Sequence, residues 1–331
     1  MERQRKIEAW LGDLYPGNSF GLTPASADAS FRRYFRASFG DGSTCVVMDA
    51  PPEREDCCPW LHVQRLFHAA GVHVPQVLAE DVAQGFLLIE DLGSTTYLAA
   101  FDADNTVALY RDAVDTLVRI QHASKANVLP PYDRAQLKRE LDLFPDWYVA
   151  KHLKIDLSDA QRNLIQAAFE NILAVNLAEP QVYVHRDYHS RNLMVAGHNP
   201  GVIDFQDALY GPISYDLVSL FKDAYVEWPE DLVLDWTVRY WEQARRAGLP
   251  VRADFADFYR DFEWMGVQRH IKVLGIFARL YHRDGKDGYL KDMPLVAKYL
   301  RAACARYRDL GPFLKLLDEI ENRQAQVGYT F

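Results

Sequence analysis

Asp187, Asn192 and Asp204 are the residues of this chain best suited to chemistry. Asn192 follows Asp187 by five positions and Asp204 follows Asn192 by twelve, and short apolar runs flank each of them. Moving a phosphoryl group off a nucleotide calls for such a set: one carboxylate orients the attacking hydroxyl, while an amide and a second carboxylate hold Mg²⁺ against the phosphates. An ordinary Asp is a weak base at neutral pH. The predicted work of Asp187 in a loose transfer is therefore mostly to position the acceptor. Asn192 and Asp204 are the predicted metal ligands, because Mg²⁺ takes oxygen donors and only one or two protein carboxylates. Asp207 is a weaker candidate beside the same cluster.

Other residues near this segment admit two readings. His185, Asp187 and His189 alternate in a way that could ligate zinc or iron, but that reading leaves Asn192 and Asp204-Phe205 unexplained. His185 reads better as a brace for the loop. His189 is predicted to face the transferred phosphate or the acceptor, with plain packing as the alternative. Ser26 to Arg33 is predicted to cover the triphosphate. That segment has no glycine, but its small residues permit close backbone approach, and Ser26 and Ser30 offer hydroxyls. Arg32, Arg33 and Arg36 bring positive charge, unless they line a solvated strand edge. Glu90 and Leu92 are expected to meet the nucleotide base through backbone groups. Asp216 reads as a structural carboxylate behind the catalytic segment. For the acceptor, Tyr225, Trp228, Trp264, Arg269, Arg279 and Tyr281 are candidates, although aromatic stripes on helices more often belong to the core.

Periodicity supplies the elements that must hold these groups. Ile7, Trp10, Leu11 and Leu14 predict a helix over 2–14. The aromatic run 31–39, the turn 40–43 and the run 44–48 predict a β-hairpin. A helix over 59–70 opens at Pro59 and ends before Gly71, and runs at 77–80 and 86–90 predict two further strands. Asp91-Leu92-Gly93 then breaks the pattern. Beyond it, Val107, Tyr110, Val114, Leu117 and Val118 share one helical stripe, and Ser158 with Gln161 forms a capping box ahead of a helix to about 177. Short strands near 182–185, 193–196 and 201–204 carry the chemistry, and helical patterns resume from 213. The predicted fold class is α+β: a small antiparallel-sheet N-terminal lobe over 1–92 for the nucleotide, and a larger, mainly helical lobe over 93–331 for catalysis and the acceptor. The nucleotide is expected between the lobes.

Composition narrows the partners. The chain has 331 residues, 49% of them hydrophobic, which is enough for a large core, and its formal charge of -9 disfavours nucleic acid and anionic membranes. Cys45, Cys57, Cys58 and Cys304 show no metal-ligand spacing and read as free thiols of a reducing compartment. No run approaches the roughly 18 apolar residues of a membrane span. A cytoplasmic monomer acting on a small molecule is the expectation.

His185-Arg186-Asp187 with Asn192, then Asp204-Phe205, match the catalytic-loop and metal-binding signatures of protein kinases. Together with Gly211-Pro212 and Tyr215-Asp216-Leu217, they resemble the aminoglycoside phosphotransferase and choline-kinase superfamily, over roughly residues 20–300. The runs 28–36, 48–52, 90–93 and 184–193 are similar to one bacterial subgroup, the anomeric kinases of N-acetylmuramic acid and N-acetylglucosamine used in peptidoglycan recycling. The resemblance implies a bilobal protein-kinase-like fold with ATP and Mg²⁺. It also implies transfer to the sugar C1 hydroxyl, giving the α-1-phosphate. One departure matters: the third strand, Cys45-Val46-Val47-Met48-Asp49, lacks the usual phosphate-binding Lys. An Arg from 32, 33 or 36 is expected to replace it. Another small hydroxyl acceptor (aminoglycoside, choline or homoserine) and a non-catalytic nucleotide-binding module remain open alternatives.

Overall fold

The computed structural model describes residues 2–27 and 31–321. In chain order the helices are α1 (Glu2–Leu14), α2 (Cys58–Ala69), α3 (Tyr97–Ala100), α4 (Thr106–His122), α5 (Arg134–Leu141) and α6 (Asp159–Leu177). They continue as α7 (Tyr215–Phe221), α8 (Glu230–Arg246), α9 (Phe255–Asp284), α10 (Met293–Arg306) and α11 (Gly311–Ile320). The strands are β1 (Phe20–Ala27), β2 (Arg33–Phe39), β3 (Thr44–Asp49), β4 (Val77–Asp81), β5 (Phe86–Glu90), β6 (Gln181–Val184), β7 (Leu193–Met194), β8 (Gly201–Val202) and β9 (Leu209–Pro212). No helix among the described residues is long and apolar enough to cross a membrane.

The chain forms two compact units. Unit 1 comprises residues 1–119 and 191–207, and unit 2 the remainder. Compactness thus divides the chain after Arg119 rather than after residue 92, where the strand pattern ends. The segment 191–207 goes with unit 1 for a physical reason: Thr96 bridges Met194, and the Val202 N–H donates to the His73 carbonyl at 2.8 Å.

Unit 1 is built on a five-stranded antiparallel sheet in the order β1-β2-β3-β5-β4. Side chains alternate across each strand. One face, with Ala37, Cys45, Val47, Phe86 and Leu88, packs on Ile7 and Leu11 of α1. The sequence pattern missed β1. Pro24, which reads as a loop signal, sits here on the edge strand, where its missing N–H breaks no interior ladder, and the register shifts between Pro24 and Ser26.

Unit 2 is mainly helical around α9, a 30-residue helix started by the Asp254 side chain and ended at Gly285 in the left-handed region. Gly275 lets this helix approach the preceding layer, since a Cβ there would lie 2.5 Å from the Leu143 backbone. The layer includes a π-helix over Phe144–His152 that periodicity did not reveal. The predicted capping box of α6 forms between Ser158 and Gln161. Strands β6 and β9 pair antiparallel; β9 was also missed.

Candidate active site

The sheet face of unit 1 turned away from α1 lines a pocket of about 370 Å³. Arg36, Val46 and Ile89 lie side by side across β2, β3 and β5, because the register pairs Arg36 with Val46 and Val46 with Ile89. Trp60, Leu92, Met194, Ile203 and Phe205 complete an apolar slot, while Glu90, Asp91, Asn192 and Asp204 supply polar groups. Such a cavity suits a flat base with a polar tail. Gly201 leaves room here: a Cβ would come within 2.9 Å of the Leu92 side-chain tip that closes the wall.

Asn192 and Asp204 flank the β7–β8 hairpin, whose Leu193–Val202 register brings them together. The Ile203 N–H donates to the Asn192 carbonyl at 3.1 Å. The Asn192 Nδ2 donates to Asp204 Oδ2 at 3.3 Å and the Gln206 Nε2 to Oδ1 at 2.9 Å. Asp204 has φ of +63°, a left-handed conformation that costs energy outside glycine and tends to be kept at functional positions. Phe205 is fully buried with its ring 5.0 Å from Trp60 and anchors the turn that aims Asp204. A carboxylate beside an amide is an oxygen-donor pair that fits Mg²⁺, which fills its remaining positions from phosphates and water. Among the described residues no cluster of three or more His, Cys, Asp or Glu side chains could hold a metal without such help.

The three arginines of the phosphate expectation part company. Arg33 and Arg3 both pair with the buried Asp49. Arg36 forms a fork on Asp91, with Nε to Oδ2 at 2.6 Å and Nη2 to Oδ1 at 2.9 Å, and it lines the pocket. Arg32 is half-buried and outside the pocket lining. Ser30 lies outside the described residues, and the Ser26 backbone pairs with Tyr34 in the sheet. The Glu90 side chain turns to the Gln76 N–H at 3.2 Å and to His73 at 3.4 Å.

In unit 2 the segment around Asp187 is fastened along its length. Asp216, in the first turn of α7, accepts from the His185 N–H at 2.6 Å and the Arg186 N–H at 2.9 Å. Burial pushes the Asp216 carboxyl up to about 7 against the pull of those two bonds. Asp223 accepts from both the N–H and the hydroxyl of Ser190. Between these anchors Arg186 takes a φ of +78°, and its carbonyl accepts from Arg269 at 2.8 Å. The Asp187 carboxylate is 43% exposed and lies 3.8 Å from the Arg269 guanidinium. Burial acts to raise its pKa, but Lys272, Arg269, His189 and Arg186 outweigh that and hold it well below the usual carboxylate range. Asp187 is therefore ionised at neutral pH, which suits it to accept a hydrogen bond rather than to act as a strong base.

The His189 ring stands edge-on to Tyr225 at 5.3 Å, and Tyr225 lies 6.2 Å from Phe277. Trp264 is 1% exposed and packs in the interior against Tyr307, so it presents no surface to a ligand. Trp228 packs edge-on against Trp236, and the half-exposed Tyr281 against His282. Arg279 is half-buried near Arg283, and burial lowers its pKa. Sequence reasoning missed Glu140, Lys272 and Asp223. The one available signal was polar residues 268–270 and 272 inside an otherwise apolar stretch of α9.

The pattern of residues 21–255 matches the model of the phosphotransferase enzyme family. The chain belongs to that family. This phosphotransferase is 53% identical over 336 residues to a protein of Neisseria meningitidis serogroup B, with 100% of both chains covered. It is 50% identical over 325 residues to one of Pseudomonas aeruginosa, covering 95% of this chain and 96% of the other. Both relatives carry the name N-acetylmuramate/N-acetylglucosamine kinase. The phosphotransferase is thus a kinase. Among solved structures it resembles choline kinase LicA of Streptococcus pneumoniae, with a TM-score of 0.65 at 13% identity over 93% of this chain and 100% of that one. It also resembles the ADP-bound aminoglycoside phosphotransferase APH(2'')-Ib, with a TM-score of 0.58 at 15% identity over 89% and 96%. These likenesses establish the protein-kinase-like α+β fold.

Proposed function

We propose that this kinase transfers the γ-phosphoryl group of ATP to the anomeric hydroxyl of N-acetylmuramic acid or N-acetylglucosamine, giving the sugar α-1-phosphate. The observation that carries the reading is 53% identity over the full length to a relative bearing that substrate name. The geometry supplies the parts. The apolar slot of Val46, Trp60, Ile89, Met194 and Ile203 takes the adenine, and Asn192 with Asp204 holds magnesium. The metal, when bound, offsets charge on the phosphate oxygens. Asp187 accepts a hydrogen bond from the sugar hydroxyl and aims it in line with the phosphorus. Tyr225, beside His189, offers an aromatic edge to the sugar. Three buried cysteines and an exposed Cys58, all unpaired, are consistent with a reducing cytoplasm.

Arg36 replaces the missing third-strand Lys in this reading, since it stands directly opposite Val46 at the pocket wall. Arg36→Ala is expected to raise the KM for ATP about tenfold, the worth of one charge-assisted contact. Arg33→Ala should leave that KM within about twofold, because Arg33 pairs with Asp49 outside the pocket lining. Equal KM values for both variants and wild type would remove the assignment.

Product analysis tests the reaction. With ATP, Mg²⁺ and either sugar, phosphorus NMR should show a phosphate coupled to the anomeric proton. A phosphate on another carbon, or transfer only to choline or an aminoglycoside, overturns the proposed acceptor chemistry.

A further inference from the structure

We propose that Glu140 is a positioning residue for Asp187, acting through the strained backbone of Arg186 and by sharing the Lys272 ammonium. The inference rests on the reading of Asp187 given above. Glu140 lies in the last turn of α5 and is 4% exposed. Its Oε1 accepts from Arg186 Nη2 at 2.7 Å and lies 3.3 Å from Lys272 Nζ. Its Oε2 accepts from the Tyr132 hydroxyl at 2.5 Å and from Gln268 Nε2 at 3.3 Å. One carboxylate therefore ties together α5, the catalytic segment and α9.

Stability alone is a weak reason for such a hub. A buried ion cluster is often matched or bettered by apolar residues of the same volume. What this cluster touches is more telling. Arg186 immediately precedes Asp187 and sits at φ +78°, a conformation that persists only where its surroundings over-determine it. Among the groups that do so, Asp216 holds its N–H, Arg269 its carbonyl and Glu140 its guanidinium. Releasing the guanidinium removes one of these restraints and lets the backbone relax toward ordinary φ.

The second task is electrostatic. Arg186, Arg269 and Lys272 are all cationic and crowd one small volume, where Lys272 Nζ and Arg269 Nη1 both donate to the Tyr215 hydroxyl at 2.8 and 3.3 Å. Without Glu140, Asp187 becomes the carboxylate on which those cations converge, since Arg269 already stands 3.8 Å away. A tighter pairing with Arg269 and Lys272 would turn the Asp187 oxygens toward them, away from an acceptor. Burial favours the neutral Glu140, but Lys272 and Arg186 outweigh it, which keeps Glu140 ionised and in place.

A cycle of Glu140→Gln, Asp187→Asn and the double variant tests this. Glu140→Gln should lower kcat about 10- to 100-fold with the KM for ATP within about twofold, as expected when only the reacting geometry is disturbed. In the Asp187→Asn background the same change should cost nothing further, because the group it positions is already gone. Losses that multiply, or a kcat for Glu140→Gln within twofold of wild type, overturn the proposal. Should Glu140→Gln not fold, Glu140→Gln with Lys272→Met, which restores charge balance, takes its place and must show the same non-additivity. Full turnover by Asp187→Asn itself would instead sink the reading of Asp187, and this inference with it.

Discussion

Asp187→Asn is expected to lower kcat by ~10²- to 10⁴-fold, the range for a lost acid–base or orienting group, while nucleotide affinity stays within about twofold. Asn has the same shape, so the segment fastened by Asp216 and Asp223 keeps its path. What disappears is the negative charge that draws the acceptor hydroxyl and takes its proton late in the transfer. Nucleotide affinity is spared because the pocket is lined by residues of unit 1, whereas Asp187 belongs to unit 2. Calorimetric titration with a non-hydrolysable ATP analogue, alongside initial rates, checks both halves. A tenfold or smaller fall in kcat would show that the carboxylate does not orient the acceptor.

The same site shows what the linear sequence can carry. The closeness of Asn192 to Asp204 was legible because a short β-hairpin fixes their spacing; Leu193 and Val202 pair in register and bring the two proposed metal ligands to 3.3 Å. The helix over 2–14 and the capping box at Ser158 were legible because both depend on neighbours within a turn or two. Glu140 and Lys272 were not, since nothing local ties an acid on α5 to a lysine 132 positions later. The choice among the arginines was closed to the sequence for a related reason. Arg33 and Arg36 look alike in the chain, and only the sheet register shows that one meets Asp49 and the other Asp91 at the pocket wall. Strand β1 was not legible because a proline such as Pro24 is tolerated in a strand only at an edge, a property of the assembled sheet. Trp264 illustrates the usual ambiguity of aromatic stripes: its periodicity fits a ligand surface or a core, and it packs in the core.

Asp204→Asn is expected to be as damaging as the change at Asp187 but in a distinguishable way. Asn tolerates the left-handed backbone at φ +63° better than most residues, so the substitution tests charge rather than strain. It keeps one oxygen donor and deletes the carboxylate, and a hard cation depends on that charge more than on the oxygen. Loss of several kcal/mol of charge stabilisation corresponds to a fall in turnover of ~10³-fold. The diagnostic is the metal titration. Half-maximal activity should need much more Mg²⁺ in Asp204→Asn, while in Asp187→Asn the metal dependence stays as in wild type and only the plateau drops. Asn192→Ala should fall between wild type and Asp204→Asn, because it removes a neutral donor and the 3.3 Å hydrogen bond that steadies the carboxylate. If the Mg²⁺ dependence of Asp204→Asn matches that of wild type, the ion is held elsewhere, and the left-handed turn before Phe205 then needs another explanation.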